Sequence, residues 1–162
     1  LKIKESSFIN TMNSFRGLPH RFEIFLKRNG IIFINDSKAT SFRATELALS
    51  SLKNVYWILG GLPKKRDKIN LTILKDKIIK CYLIGKHISF FKNKIIDKID
   101  FTVSKNIKNS IFQISKDCEH KKNIERYILF SPAAASFDQF KNFEKRGNEF
   151  KRLVRKYARK FI

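Results

Sequence analysis

Ile31-Ile32-Phe33-Ile34-Asn35-Asp36-Ser37-Lys38-Ala39-Thr40, with the unit that follows it, decides the fold. A β-branched apolar run passes through a polar loop into a segment whose apolar side, Thr45, Ala48, Leu49 and Leu52, recurs at helical spacing. Thr40 or Ser41 is the natural N-cap of that helix. Val55-Tyr56-Trp57-Ile58-Leu59 then reads as a fully buried strand, and it ends in Gly60-Gly61. Upstream, Phe22 to Lys27 is a β-like run separated from Ile31 by Arg28-Asn29-Gly30, a turn signal, so the two runs form a hairpin.

The alternation continues downstream. Leu71 to Lys77 reads as a short helix, Cys81 to Ile84 as a strand ending at Gly85, Ile88 to Lys94 as a weak helix and Ile99 to Val103 as a strand. Ile107, Ile111 and Ile114 mark another helix, Tyr127 to Phe130 another strand, and a long helix runs from about Asp138 to Lys160. Strands alternating with helices predict an α/β domain: a mostly parallel, Rossmann-like sheet with helices on both faces and an N-terminal hairpin. Ligands bind such sheets at the carboxyl ends of the strands, which places the loops 35–41, 60–66 and 131–143 on one rim.

The composition bounds the function. At 162 residues and 43% hydrophobic, the chain has the size and core of one ordinary domain. Lys and Arg number 35 against 14 Asp and Glu, a formal charge of +21. The basic residues are scattered, and no arginine-rich arm or aromatic–basic interleaving accompanies them, so a nucleic-acid partner is not expected. The densest stretch, Lys151, Arg152, Arg155, Lys156, Arg159 and Lys160, reads as a solvated helix face; a basic surface that attracts anionic substrates is the alternative. Cys81 and Cys118 are far apart and outside any Cys/His cluster, so no metal site is expected. His87 and His120 read as structural. No apolar run is long enough for a membrane span and no signal pattern opens the chain, which predicts a cytoplasmic location without a membrane partner.

Four stretches carry unusual chemistry. Asn35 to Thr40 leaves a strand and enters a helix, whose free N–H groups suit an anion; Lys38 adds a charge, Thr40 a hydroxyl, and Asp36 an acceptor for sugar hydroxyls. An ordinary capped turn is the plain alternative. Gly60-Gly61-Leu62-Pro63-Lys64-Lys65 allows close backbone approach and brings a lysine toward a carboxylate, although a glycine turn with solvated lysines would look the same. It is not a Walker A loop, whose spacing is absent from the chain. Ser131-Pro132-Ala133-Ala134-Ala135-Ser136 crowds small residues between a strand and a helix, with the Ser136 hydroxyl among them. Gly17-Leu18-Pro19-His20-Arg21 supplies an arginine for phosphate and a histidine that either meets a base or is structural.

Together GLPHR (17–21), NDSKAT (35–40), LGG-x-x-K (59–64) and SPAAASFDQFKNFEKRGNEF (131–150) resemble the Mur ligase family of peptidoglycan synthesis, in particular the C-terminal domain of its D-glutamate-adding branch. The resemblance runs from about Phe15 onward. It implies residues 1–14 as the tail of a preceding domain or linker and 15–162 as the C-terminal, D-glutamate-binding domain. It implies a monomeric ligase, using ATP and Mg2+ held mainly by a central domain absent here, that joins D-glutamate to UDP-N-acetylmuramoyl-L-alanine through an acyl phosphate. The N-terminal and central domains of the same enzyme would be its partners, and this domain would be inactive alone. By position, Thr40, Lys64, Ser136 and the backbone of Phe143 resemble the groups that hold D-glutamate. Lys38 resembles the catalytic lysine near the acyl phosphate, and His20, Arg21 and Asp36 resemble the ATP contacts. Asn142 and Arg146 match residues that support these. Ser41 stands where the family usually has Asn, and Leu62-Pro63 replaces a more polar pair, which leaves the substrate contact open between Lys64 and Lys65. A basic nucleic-acid-binding module and a free-standing Rossmann-like small-molecule binder are the alternatives to this reading.

Overall fold

Alternate residues of each central strand point into different cores. The computed structural model describes residues 4–14, 17–118 and 124–161; Phe15 and His120 lie outside them. The elements in chain order are α1 (Glu5–Ser14), β1 (Glu23–Arg28), β2 (Ile31–Asn35), α2 (Phe42–Ser50), β3 (Val55–Leu59), β4 (Ile78–Ile84), α3 (Ile88–Ile95), β5 (Phe101–Lys105), α4 (Ile107–Cys118), β6 (Arg126–Phe130) and α5 (Phe143–Tyr157). One sheet has the order β1-β2-β6-β3-β4-β5. The β1–β2 pair is antiparallel and every other pair is parallel.

Ile32, Ile34, Val55, Trp57, Leu59, Cys81, Leu83 and Leu129 pack under α2 and α3, against Phe42, Leu49, Phe91 and Ile95. Ile31, Phe33, Tyr56, Ile58, Tyr82, Ile84, Ile128 and Phe130 pack under α4 and α5, against Ile111, Ile114, Phe150 and Val154. The period of two sends neighbours along each strand to opposite faces, and helices on both faces bury β3 and residues 31–34 of β2 at every position. The α/β expectation therefore holds. So does the hairpin: Asn29 and Gly30 have φ of 49° and 73°, the two positive values a type I′ turn requires.

Several boundaries differ from the sequence reading. Ser41, not Thr40, caps α2, its Oγ accepting from the Ala44 N–H at 3.4 Å. Leu71 to Lys77 is not a helix; it is a turn closed by a 3-10 turn over Lys75–Lys77, because Leu71 and Leu74 are drawn into the core before the chain extends into β4. β4 starts at Ile78 rather than Cys81, and β5 occupies Phe101–Lys105 rather than 99–103, since Ile99 is buried by the turn that leaves α3. The last helix starts at Phe143, not Asp138: Asn142 is extended and its side chain accepts from the Lys145 N–H. Within residues 1–14, expected as the tail of a preceding domain or linker, Glu5–Ser14 form α1, which is compatible with that expectation.

One feature of the topology positions the site. β2 and β3 are followed by segments that pack on the α2/α3 face, whereas β6, between them, is followed by α5 on the opposite face. The loops leaving adjacent parallel strands therefore diverge, and a crevice opens at their carboxyl ends. Gly60, at the end of β3, makes this crowding possible. It has φ of 135°, and a Cβ there would lie 2.0 Å from the Ile84 carbonyl oxygen, which is backbone and cannot swing away. Gly60→Ala should cost more than about 3 kcal/mol. Gly17→Ala, where φ is 79° but nothing lies within 4 Å, should cost only the backbone term of about 1–2 kcal/mol. Urea unfolding of the two variants checks the contrast.

Candidate functional site at the strand carboxyl ends

Hydrogen bonds bring the three loops together. The Leu62 N–H donates to the Ala135 carbonyl at 2.9 Å and the Ala135 N–H to the Leu62 carbonyl at 3.0 Å, so the glycine loop and the small-residue loop run side by side. Lys64 follows two residues after this pair and Ser136 one residue after it. The Phe42 N–H donates to Asp67 Oδ2 at 2.7 Å, which holds the Lys64–Asp67 turn against the start of α2, two residues from Thr40. Asp67 also supplies the negative charge at that helix N-terminus, so this end of α2 is satisfied from within the protein rather than left for an anion. Thr40, Lys64 and Ser136 thus stand on one rim. Thr40 is half-buried, Ser136 buried, and Lys64 and Lys65 are both exposed, so burial does not choose between the two lysines.

Beneath the rim, Arg146 is 2% exposed. Its Nε donates to Ser37 Oγ at 3.1 Å and its Nη2 to the Ser37 carbonyl at 2.8 Å. Ser37 Oγ in turn donates to the Phe143 carbonyl at 2.8 Å. One guanidinium therefore fastens the 35–41 loop to the first turn of α5. Burial pulls its pKa down to about 10, against a small opposing influence of Asp138. At neutral pH it is still a cation, and it has no carboxylate within ion-pair distance among the described residues. Asn142 acts beside it as the N-cap of α5.

Asp36 anchors a second set of bonds. Its N–H donates to the Phe130 carbonyl, its Oδ1 accepts from the Phe22 N–H at 3.1 Å and its Oδ2 from Ser131 Oγ at 2.7 Å. The Ser131 proton being used there, the Thr45 hydroxyl donates to Ser131 Oγ at 2.8 Å. Trp57 Nε1 donates to the Ser131 carbonyl at 2.7 Å. Burial pushes the Asp36 carboxyl above its ordinary range, outweighing the hydrogen bonds from Ser131 and Phe22 and the charge of Arg21. Arg21, Asp36 and Lys38 line one pocket of about 370 Å³, floored by Ala44, Leu47 and Ala48 of α2. Thr40, Lys64 and Ser136 do not line it. Lys38 lies where the two groups adjoin, with Nζ 3.9 Å from the centroid of the Phe143 ring.

His20 is placed differently from its neighbour Arg21. Its side chain is buried against Asn35 and Gly147, not open to the pocket. Ser37, Asp67, Asn35 and Glu23 are the polar residues the sequence reading passed over. Ser37 and Asn35 lie inside NDSKAT, and their commitment to the protein interior has no sequence signal. Cys81 and Cys118 are both buried and free. Among the described residues no three His, Cys, Asp or Glu side chains are grouped to hold a metal ion, and no helix is long and apolar enough to cross a membrane.

The fold is a Rossmann-like domain of the α/β class, with three loops meeting on one rim at the carboxyl ends of its parallel strands. Its relatives are ligases. The chain is 40% identical over 144 residues to the UDP-N-acetylmuramoylalanine–D-glutamate ligase of Nitrobacter hamburgensis, covering 89% of the chain and 31% of the relative. It is 41% identical over 144 residues to the enzyme of that name in Brucella abortus, covering 88% and 31%, and 37% identical over 161 residues to that of Wolbachia sp. subsp. Brugia malayi, covering 99% and 32%. The chain is thus homologous to these Mur ligases along most of its own length while spanning about a third of theirs. It matches no protein-family model.

Arg146→Lys keeps a cation but loses the fork. It should cost about 2–4 kcal/mol from two charge-assisted bonds lost at a buried site. Ser37→Ala, added to it, should cost less than it does alone, because the two share the Nε–Oγ bond, while the Ser37 Oγ bond to the Phe143 carbonyl is lost in either background. Urea denaturation of the single and double variants measures the coupling.

Proposed function

We propose that this chain is the C-terminal domain of an ATP-dependent ligase that adds D-glutamate to UDP-N-acetylmuramoyl-L-alanine. The convergence of the three loops on one rim, in a chain homologous to a third of such ligases, carries the reading. Residues 15–162 form the binding domain, and the segments preceding it in a complete enzyme supply the remaining machinery.

D-Glutamate carries two carboxylates, which need donors at two separated points. Thr40, Lys64 or Lys65, and Ser136 provide hydroxyls and a cation along one side of the rim. The first turn of α5 adds backbone N–H groups, including that of Phe143, that have no intrahelical partner and lie at the positive end of a 15-residue helix. Each charge-assisted bond is worth about 1.5–3 kcal/mol. Lys38, where the amino-acid rim adjoins the pocket, stands beside the acyl phosphate and the incoming amine. Ordering that amine against an activated carbonyl is an orientation effect of up to ~7–11 kcal/mol.

The pocket of Arg21, Asp36 and Lys38 suits a nucleotide: a guanidinium for phosphate, a carboxylate with unused lone pairs for ribose hydroxyls, and an apolar floor. Mg2+ bound with ATP supplies charge neutralisation at the phosphates, and its protein ligands belong to the central domain. The reaction runs in the cytoplasm, where its nucleotide substrates are made, and the enzyme acts as a monomer without nucleic acid or membrane.

Two results are expected. The 162-residue chain alone, given ATP, Mg2+, D-glutamate and UDP-N-acetylmuramoyl-L-alanine, releases no phosphate above background; sustained turnover would contradict the domain assignment. In the ligase assembled from this domain and the two-thirds its relatives carry, Ser136→Ala should raise the KM for D-glutamate roughly tenfold or more and that for ATP less than about threefold. Lys64→Ala and Lys65→Ala, compared in the same assay, identify the contacting lysine by the larger D-glutamate effect.

A further inference from the structure

Glu23, Asn35, His20 and Ser37 form a hydrogen-bond chain in which chemistry assigns every donor. Glu23 Oε1 pairs with Lys151 Nζ at 2.8 Å, and Oε2 accepts from the His20 N–H at 3.0 Å and from Asn35 Nδ2 at 2.9 Å. Burial alone would raise the Glu23 pKa, but the bonds from Lys151, His20 and Asn35 outweigh it and hold the carboxyl ionised. A carboxylate only accepts, so Asn35 must turn its NH2 toward it. The same Nδ2 lies 2.8 Å from His20 Nδ1, and Asn35 Oδ1 accepts from the Ser37 N–H at 3.3 Å. His20 Nδ1 is therefore the acceptor, and the ring is neutral with its proton on Nε2.

A proton on Nδ1 would set N–H against N–H. Asn35 cannot relieve this by turning its amide over, because Oδ1 would then face the Glu23 carboxylate and Nδ2 the Ser37 N–H. Nor can the ring slide away. Gly147 of α5 is packed so closely that a Cβ there would lie 2.3 Å from Nδ1, and the Phe143 ring stands edge-on at 6.0 Å. The backbone of His20, at φ 64°, is also committed: its carbonyl accepts from the Lys38 N–H at 3.0 Å. The state of this ring therefore reaches the Lys38 loop twice, directly through that carbonyl and through Asn35 and Ser37.

We infer that His20 is a positioning residue, which as a neutral imidazole locks the loop carrying Lys38 and sets Arg21 at the pocket mouth, and which unlocks both on protonation. Its bearing on catalysis rests on the nucleotide site proposed above; the lock itself does not. The charges facing the ring are Glu23 from β1 and Lys151 and Glu144 from α5. Burial and then Lys151 oppose protonation, outweigh the charges of Glu23 and Glu144, and bring the pKa below the ordinary 6.5; the Asn35 NH2 donating to Nδ1 favours the same neutral ring. Folding thus favours the neutral ring. Its contribution to stability is complete above pH about 6.5 and is lost as pH falls through the lowered value in the folded state.

Nitrogen-detected and amide NMR of the 162-residue chain across pH 4.5 to 8 tests this. At pH 7 the His20 Nδ1 resonance should be that of an unprotonated acceptor, and the ring should titrate below the exposed-imidazole range. The Lys38 and Ser37 amides should move with the same midpoint. His20→Asn tolerates the positive φ and offers Oδ1 where Nδ1 stands. It should leave the Lys38 amide near its wild-type position at pH 7 and abolish that titration. A Lys38 amide that ignores the His20 midpoint, or that keeps it in His20→Asn, overturns the inference, as does a His20 ring carrying its neutral proton on Nδ1. Arg21→Ala in the assembled ligase tests the underlying reading separately. A KM for ATP raised roughly tenfold or more supports the nucleotide site, and an unchanged KM for ATP overturns that site while the pH coupling stands or falls by itself.

Discussion

A guanidinium buried without a carboxylate is the constraint around which this molecule is arranged. Removing an arginine from water costs several kcal/mol, and Arg146 offsets part of that by donating from Nε and Nη2 to the hydroxyl and carbonyl of Ser37 and by lying near the Phe130 ring, while Nη1 has no partner among the described residues. Those bonds exist only while the 35–41 loop and the first turn of α5 are both in place. The chain is thereby compelled to hold the ends of β2 and β6 together, and those two strands send their helices to opposite faces of the sheet. Charge burial here acts as a geometric specification of the rim.

The polar groups around that rim divide into two kinds. Asn35, Ser37, Ser131, Thr45, Glu23, Arg146 and His20 turn inward and bond one another, Arg146 Nη1 alone of their side-chain groups staying buried without a partner among the described residues, so the loops behave as an extension of the core despite their polarity. Arg21, Lys38, Thr40, Lys64 and Lys65 stand at the edge of this framework, available to a ligand. The dianionic amino acid and the nucleotide phosphate proposed as ligands would both demand cations whose positions do not drift, and the inward set supplies that rigidity. The remaining positive charge is of a different sort. Arg152, Arg155, Lys156, Arg159 and Lys160 are exposed on α5 and the turn that follows it, as a solvated face would be, while Lys151 alone of that run is drawn in by Glu23.

The architecture was legible because hydrophobic periodicity reports burial directly. β3 and residues 31–34 of β2 are hydrophobic at every position since both faces of a parallel sheet are covered, and Thr45, Ala48 and Leu49 betray the buried side of α2. The boundaries were less legible where two signals competed. Leu71 and Leu74 look like one face of a helix but are two separate anchors of a turn, and the small-residue stretch 131–136 gives no sign that the chain delays helix formation until Asn142 provides a cap. Residues 35–40 were recognisable from their composition as a polar strand-to-helix loop. That Asp67 would take the N-terminus of the helix they lead into was not, because the two are brought together only by the packing of β3 beside β6.

By itself, then, the order of residues along this chain determined an α/β sheet, a hairpin edge and the polar and small-residue loops at the strand ends, since each depends on local pattern or on short motifs. Which of those polar residues face a ligand and which are consumed in holding the loops was decided only in three dimensions. His20 and Arg21 are adjacent and equally polar in sequence, yet one fills the space over Gly147 and the other opens onto a pocket. The difference arises from contacts made with β1, β2 and α5, elements up to more than a hundred residues distant, and no local property of the dipeptide encodes it.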